Sequence, residues 1–201
     1  MTNLLIRITS GFIYAILVLV FTTINGCENG TVVDGNYVPK ERLENLLKLA
    51  KAGDVDAQMD LSVVSNDKEE GRMWLEKAAA TKHPPAVNAL ANDYRTRGGD
   101  YPVKARSMLE SIAKDGYYPA ITDLTLCLND GNCGPRSVSE AYMWTVVSRL
   151  LAERHSIAKN VLQDDEKSLS AELTKNARKN AEINGHIIVD KMQKVTDLHY
   201  R

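Results

Sequence analysis

Four histidines, His83, His155, His186 and His199, are the side chains best suited to proton transfer or metal binding near neutral pH, and each stands in a separate segment. None belongs to a His-Glu-x-x-His helix, and the chain has neither a Gly-x-Ser-x-Gly elbow nor a phosphate-binding glycine loop. The expectation is a protein without catalytic residues, cofactor or metal. Asp164, Asp165 and Glu166 form an acidic run that could attract a cation, but such a run reads first as a solvated loop ahead of a helix. Lys175, Arg178 and Lys179 read as the wet face of that helix. Cys127 and Cys133 lack Cys-x-x-Cys spacing, and no histidine lies near them in sequence.

The chain has 201 residues, 44% of them hydrophobic, with 25 Lys+Arg against 26 Asp+Glu. Such a balance fits a globular domain and argues against a disordered or nucleic-acid-binding chain. The average hides one break, because residues 1–26 carry a single charged side chain, Arg7, and both phenylalanines, Phe12 and Phe21. Phe12 to Phe21 is an almost unbroken apolar run that would extend about 15 Å as a helix, half of a hydrocarbon core of about 30 Å. Too short to span, it has the pattern of a secretory signal peptide over residues 1–26.

That segment closes on Ile24-Asn25-Gly26-Cys27, which resembles the lipobox of bacterial lipoproteins; Asn25 departs from the small residue usual there. The resemblance implies a diacylglyceryl group on Cys27 and cleavage just before it. Each buried methylene contributes about 0.8 kcal/mol, so two or more acyl chains hold a protein stably on its membrane. The expected location is the periplasm, lipid-anchored. Residues 27–38, with Gly30, Asp34, Gly35 and Asn36, read as a flexible tether. Once Cys27 is assigned to lipid an even pair remains, Cys127 and Cys133. Export makes a disulfide the first reading, worth about 2 kcal/mol for so short a loop, with a redox or metal pair as the rival.

From Pro39 onward apolar residues recur at three and four, which predicts an all-α chain. Ala57, Ala86 and Ala120 are each followed four residues later by Leu, at Leu61, Leu90 and Leu124. A second series aligns Gly71 and Trp74 with Ala105 and Met108 and with Ala141 and Trp144, and eleven residues after its first members come Lys82, Gly116 and Ala152. The first series is spaced 29 and 34 residues, the second 34 and 36. A period near 34 with two helices per repeat predicts an α-α solenoid in which stacking supplies the core. The tryptophans are expected to pack between repeats. Leu169, Leu173, Ala177 and Ala181, continued by Ile188, Met192 and Val195, predict one capping helix within 161–201, interrupted at Gly185.

Ala52-Gly53 leading to Ala57-x-x-x-Leu61, Trp74-x-x-Lys77-Ala78-Ala79, the loop Gly98 to Ala105, and Gly131-Asn132-Cys133-Gly134-Pro135 before Ala141-Tyr142-Met143-Trp144 together resemble Sel1-like repeats, relatives of the tetratricopeptide repeats. The repeat region is taken as 39–160. Two departures stand out: Lys82-His83 replaces a glycine turn, and the first repeat is about five residues short. The resemblance implies a concave groove built by the first helix of each pair, with Met59 and Val63, then Asn88, Asn92 and Arg95, then Thr122, Leu126 and Asn129 as partner-binding positions. It also implies the function. Short Sel1-like lipoproteins of this layout resemble immunity proteins that block phospholipase effectors of type VI secretion, by covering the active-site entrance without catalysis. The alternative is a cell-envelope scaffold holding a resident protein. The expected partners are a protein and, through lipid, a membrane, with no nucleic acid and no small-molecule substrate.

Overall fold

The computed structural model describes residues 30–33, 36–155 and 162–192. Residues 1–26, expected to be a signal peptide, lie outside the described residues, as do Cys27, Val195 and His199. The chain divides into two compact units, Met1–Ala78 and Ala79–Arg201. The fold class is all-α, with helices packed on one another in chain order within each unit, as in an α-solenoid.

The first unit opens with an antiparallel strand pair, β1 (Gly30–Val33) and β2 (Asn36–Pro39), in register from Gly30 opposite Pro39 to Val33 opposite Asn36. Strands therefore occupy most of the segment expected to be an irregular tether, and Val38 is buried. Helix α1 (Lys40–Lys51) turns Leu46 and Ala50 inward. Helix α2 (Val55–Val64) is capped by the Asp54 side chain, which accepts from the Ala57 amide at 2.8 Å. Helix α3 (Lys68–Ala80) adds Trp74 to a core made with Leu46, Ala50, Ala57 and Leu61. The buried Gln58 side chain donates to the Ala50 carbonyl at 3.0 Å, so α1 and α2 share a polar bond under the apolar one. The shortened α2–α3 link is matched by Gly71, where a Cβ would stand 2.7 Å from the Ser62 carbonyl oxygen. The missing Cβ at Gly71 is what lets α3 approach the end of α2 this closely.

The second unit holds α4 (Pro84–Arg95), α5 (Tyr101–Lys114), α6 (Tyr118–Asp130), α7 (Val138–Arg154), α8 (Gln163–Glu172) and α9 (Lys175–Met192). Pro84, Pro102 and Pro119 sit in the first turns of α4, α5 and α6, where a missing N–H removes no helical bond. Leu109, Ile121, Leu124, Leu128, Val146 and Val147 form the centre of its core, with Trp144 and the aligned Ala105, Ala120 and Ala141 buried among them. Buried hydroxyls are satisfied locally: Thr125 donates to the Ile121 carbonyl at 2.8 Å, and Tyr118 and Ser148 hydroxyls join α6 to α7 at 2.7 Å. Cys127 and Cys133 are bonded, with Cα atoms 5.5 Å apart.

The repeat turns agree more closely than their residue types. Gly53 (φ +96°), Lys82 (φ +63°) and Gly116 (φ +88°) each stand four residues before an aligned alanine, and all three are left-handed. Lys82 thus preserves the turn that its side chain disfavours. In the series Lys82, Gly116 and Ala152 the last member differs, because Ala152 lies inside α7, which runs on to Arg154. The capping region also differs from expectation. It comprises two helices broken at Leu173-Thr174, where the Thr174 hydroxyl accepts from the Ala177 amide at 3.3 Å and starts α9. Gly185 marks no kink: it is buried within α9, and a Cβ there would meet Val146 Cγ1 at 2.8 Å. No helix among the described residues is long and apolar enough to cross a membrane.

Candidate functional site

Asn88, Asn92 and Arg95 follow one another at four and three along α4, so they share one face of that helix. That face meets α6 at Asp123. Both Asn88 Nδ2 and Asn92 Nδ2 donate to Asp123 Oδ2, at 2.8 and 2.7 Å, and Arg95 Nη1 donates to Asn92 Oδ1 at 3.0 Å. A carboxylate, two amides and a guanidinium thus form one chain across two helices. Its free ends are informative. Arg95 Nε and Asn88 Oδ1 are enclosed with no hydrogen-bond partner among the described residues, so the groups of the chain left to an external partner are Arg95 Nη2 and the second oxygen of Asp123. Tyr117, at the start of α6, faces the same carboxylate: burial first, and the Asp123 charge second, push its phenol above the usual value.

Of the residues the groove reading singled out, the structure brings together Asn88, Asn92 and Arg95. Thr122 and Leu126 are half-buried on α6, beside and beyond Asp123. Asn129 is already engaged, since Arg136 donates to its carbonyl at 2.8 Å and to its Oδ1 at 3.0 Å while holding Glu172 of α8 through two 2.8 Å bonds. Met59 and Val63 belong to α2 in the first unit, the former half-buried and the latter 64% exposed, so Val63 is not core packing. Asp123 and Tyr117 are the residues sequence reasoning missed. A signal existed: Asp123 is the one charge on α6 before its last residue, Asp130.

The other charged candidates are structural. Glu166 lies in the first turn of α8 rather than in a loop, alongside Asp164 and Asp165, where carboxylates complement the helix dipole. Glu166 and Glu182 both pair with Arg149, each at 3.0 Å, and Glu182 accepts from the Tyr142 hydroxyl at 2.9 Å. Burial, then the Glu182 bond, push the Tyr142 phenol up to about 12. Arg178 is bonded to Ser170 while Lys175 and Lys179 are exposed. Among the described residues no group of three or more His, Cys, Asp or Glu side chains is placed to hold a metal ion. His83 precedes α4, His155 follows α7 and His186 is exposed on α9.

No protein-family model matches the chain, and no curated protein sequence does. Among solved structures, one it resembles is a protective antigen present in uropathogenic Escherichia coli strains and displaying an SLR (Sel1-like repeat) fold. The two share 18% identity at a TM-score of 0.49, over 84% of this chain and 46% of that one.

Proposed function

We propose that the chain is a non-catalytic protein-binding module whose α4/α6 face takes a segment of a partner protein. The observation that carries this reading is the half-buried Arg95–Asn92–Asp123–Asn88 chain across α4 and α6. The Asn92 bond at Nη1 holds the guanidinium in place and leaves Nη2 for a partner carboxylate, while the remaining oxygen of Asp123 suits a backbone N–H. Consistent with the lipobox resemblance, the module is tethered by lipid at Cys27 and faces the periplasm. Its specific role is that of an immunity protein covering the entrance of a type VI secretion phospholipase.

The test co-expresses a candidate periplasmic phospholipase toxin with and without this protein. Protection is expected, and it should fail or weaken for Arg95→Ala, with binding reduced by more than about 1 kcal/mol at a standard interface of about 800 Å² per partner. Arg95 is changed alone because Asn92 bridges α4 and α6; removing it leaves Asp123 short of a donor and destabilises the fold by about 1–3 kcal/mol. No protection by the unmodified protein would transfer the reading to an envelope scaffold. Protection that ignores Arg95 would move the contact to another face.

A further inference from the structure

The triplets α1/α2/α3 and α5/α6/α7 occupy equivalent repeat positions, matched through Gly53 with Gly116 and through Gly71 with Ala141. In the later triplet, the place where α5 meets the start of α7 is closed by charge. Arg106 Nε donates to Glu110 Oε1 at 2.8 Å and Arg106 Nη2 to Glu140, whose other oxygen accepts from the Ser137 hydroxyl at 3.1 Å. In the first triplet Leu43 stands at the position of Arg106, Leu47 at that of Glu110, and Glu70 keeps the position of Glu140. The carboxylate is retained and its cation is gone.

What remains there is an open cavity of about 380 Å³, walled by Leu43, Leu47, Leu61 and Val64. That size falls in the range of about 300–1,000 Å³ typical of binding pockets. Glu44, Asp67 and Glu70 stand around it against one cation, Lys40. Asp67 caps α3 through the Glu69 amide at 2.8 Å, and Glu70 accepts from the Ser65 hydroxyl at 3.0 Å. Neither Glu44 nor Glu70 has an ion-pair partner among the described residues. A purely apolar occupant would fill the cavity and leave these carboxylates as they are. An occupant with a cation beside an apolar group satisfies both.

We propose that this cavity docks a partner-protein segment presenting an arginine or lysine next to a bulky apolar side chain, with the partner's cation taking at Glu70 the place that Arg106 takes at Glu140. The site consists of first-unit residues only and stands whether or not the α4/α6 face binds a partner.

The test follows methyl resonances of the full-length chain by NMR during titration with the acetylated, amidated peptide Ala-Leu-Arg-Leu-Ala and with its Ala-Leu-Glu-Leu-Ala counterpart. Saturable shifts at Leu43, Leu47 and Val64 are expected with the arginine peptide. The glutamate peptide, and the Glu70→Gln variant, should bind about tenfold more weakly, equivalent to about 1.4 kcal/mol. Leu43→Arg combined with Leu47→Glu rebuilds the closed cluster and should abolish binding, whereas Arg95→Ala should leave it unchanged. No shifts at millimolar peptide, equal affinity for both peptides, or full binding by Glu70→Gln would overturn the proposal. Glu70 is exposed, so that last variant decides even if the double variant fails to fold.

Discussion

At Lys82 the backbone holds φ +63° in a turn that glycine serves at Gly53 and Gly116. A left-handed L-residue costs about 1–2 kcal/mol, and glycine returns up to about 1 kcal/mol of that as lost chain entropy. Lys82→Gly should therefore stabilise the protein by up to about 1 kcal/mol, read as a higher urea midpoint at unchanged slope; a lower midpoint would show that the lysine side chain matters there. Tyr142 gives a second residue-scale expectation. Its phenol ionises near 12 in the folded protein and near 10 when unfolded, so the unfolded chain loses its proton first. The stability it contributes is complete below pH 10 and is lost as pH rises through 12. Unfolding followed from pH 9 to 12 should show a steeper decline for the unmodified chain than for Tyr142→Phe. Equal slopes would mean that neither burial nor the Glu182 bond favours the neutral phenol in the folded chain.

Among the helices, α9 shows where local preference and packing pull in opposite directions. An isolated helix would gain about 1 kcal/mol from Gly185→Ala, but a Cβ at 2.8 Å from the fully buried Val146 forces α9 away from α7. The expected outcome is a net destabilisation of about 1–2 kcal/mol in thermal or chemical unfolding, and a stabilised variant would mean that α9 is loosely docked. The same residue explains the boundary of what sequence can reveal. Helix existence was readable wherever Ala and Leu recur at four, because burial on one face imposes that spacing, as at Ala57/Leu61 and Ala120/Leu124. Gly185 reads as a weak point because its helix propensity is local, while the reason for it, Val146, lies far away in the chain. The α8–α9 break escaped because Leu169, Leu173, Ala177 and Ala181 continue one stripe across it. Within the site, Asn88, Asn92 and Arg95 were legible from repeat position, whereas Asp123 was not. Its role comes from partners on another helix that no spacing within α6 can indicate.

For the molecule as a whole, position on a membrane and binding are separable. If Cys27 carries lipid, Cys27→Ser should move the protein from membrane to soluble fractions while leaving the folded repeats and any purified-component binding intact. A variant that stays uncut and membrane-bound would instead mark residues 1–26 as a permanent anchor. With both, loss of protection in cells without loss of binding in solution would assign the effect to local concentration rather than to the interface.

The bonded loop after α6 adds a matter of timing. Cys127–Cys133 closes the turn that ends three residues before Arg136, and Arg136 in turn grips Asn129 at the far end of the proposed contact face and Glu172 on α8. A newly made chain in a reducing compartment has thiols at both positions, and this loop then lacks about 2 kcal/mol of restraint. If the chain is exported as the lipobox resemblance implies, it reaches its final grip only after leaving the place where it was synthesised, and a partner produced in the same cytosol would meet it first in its slacker form.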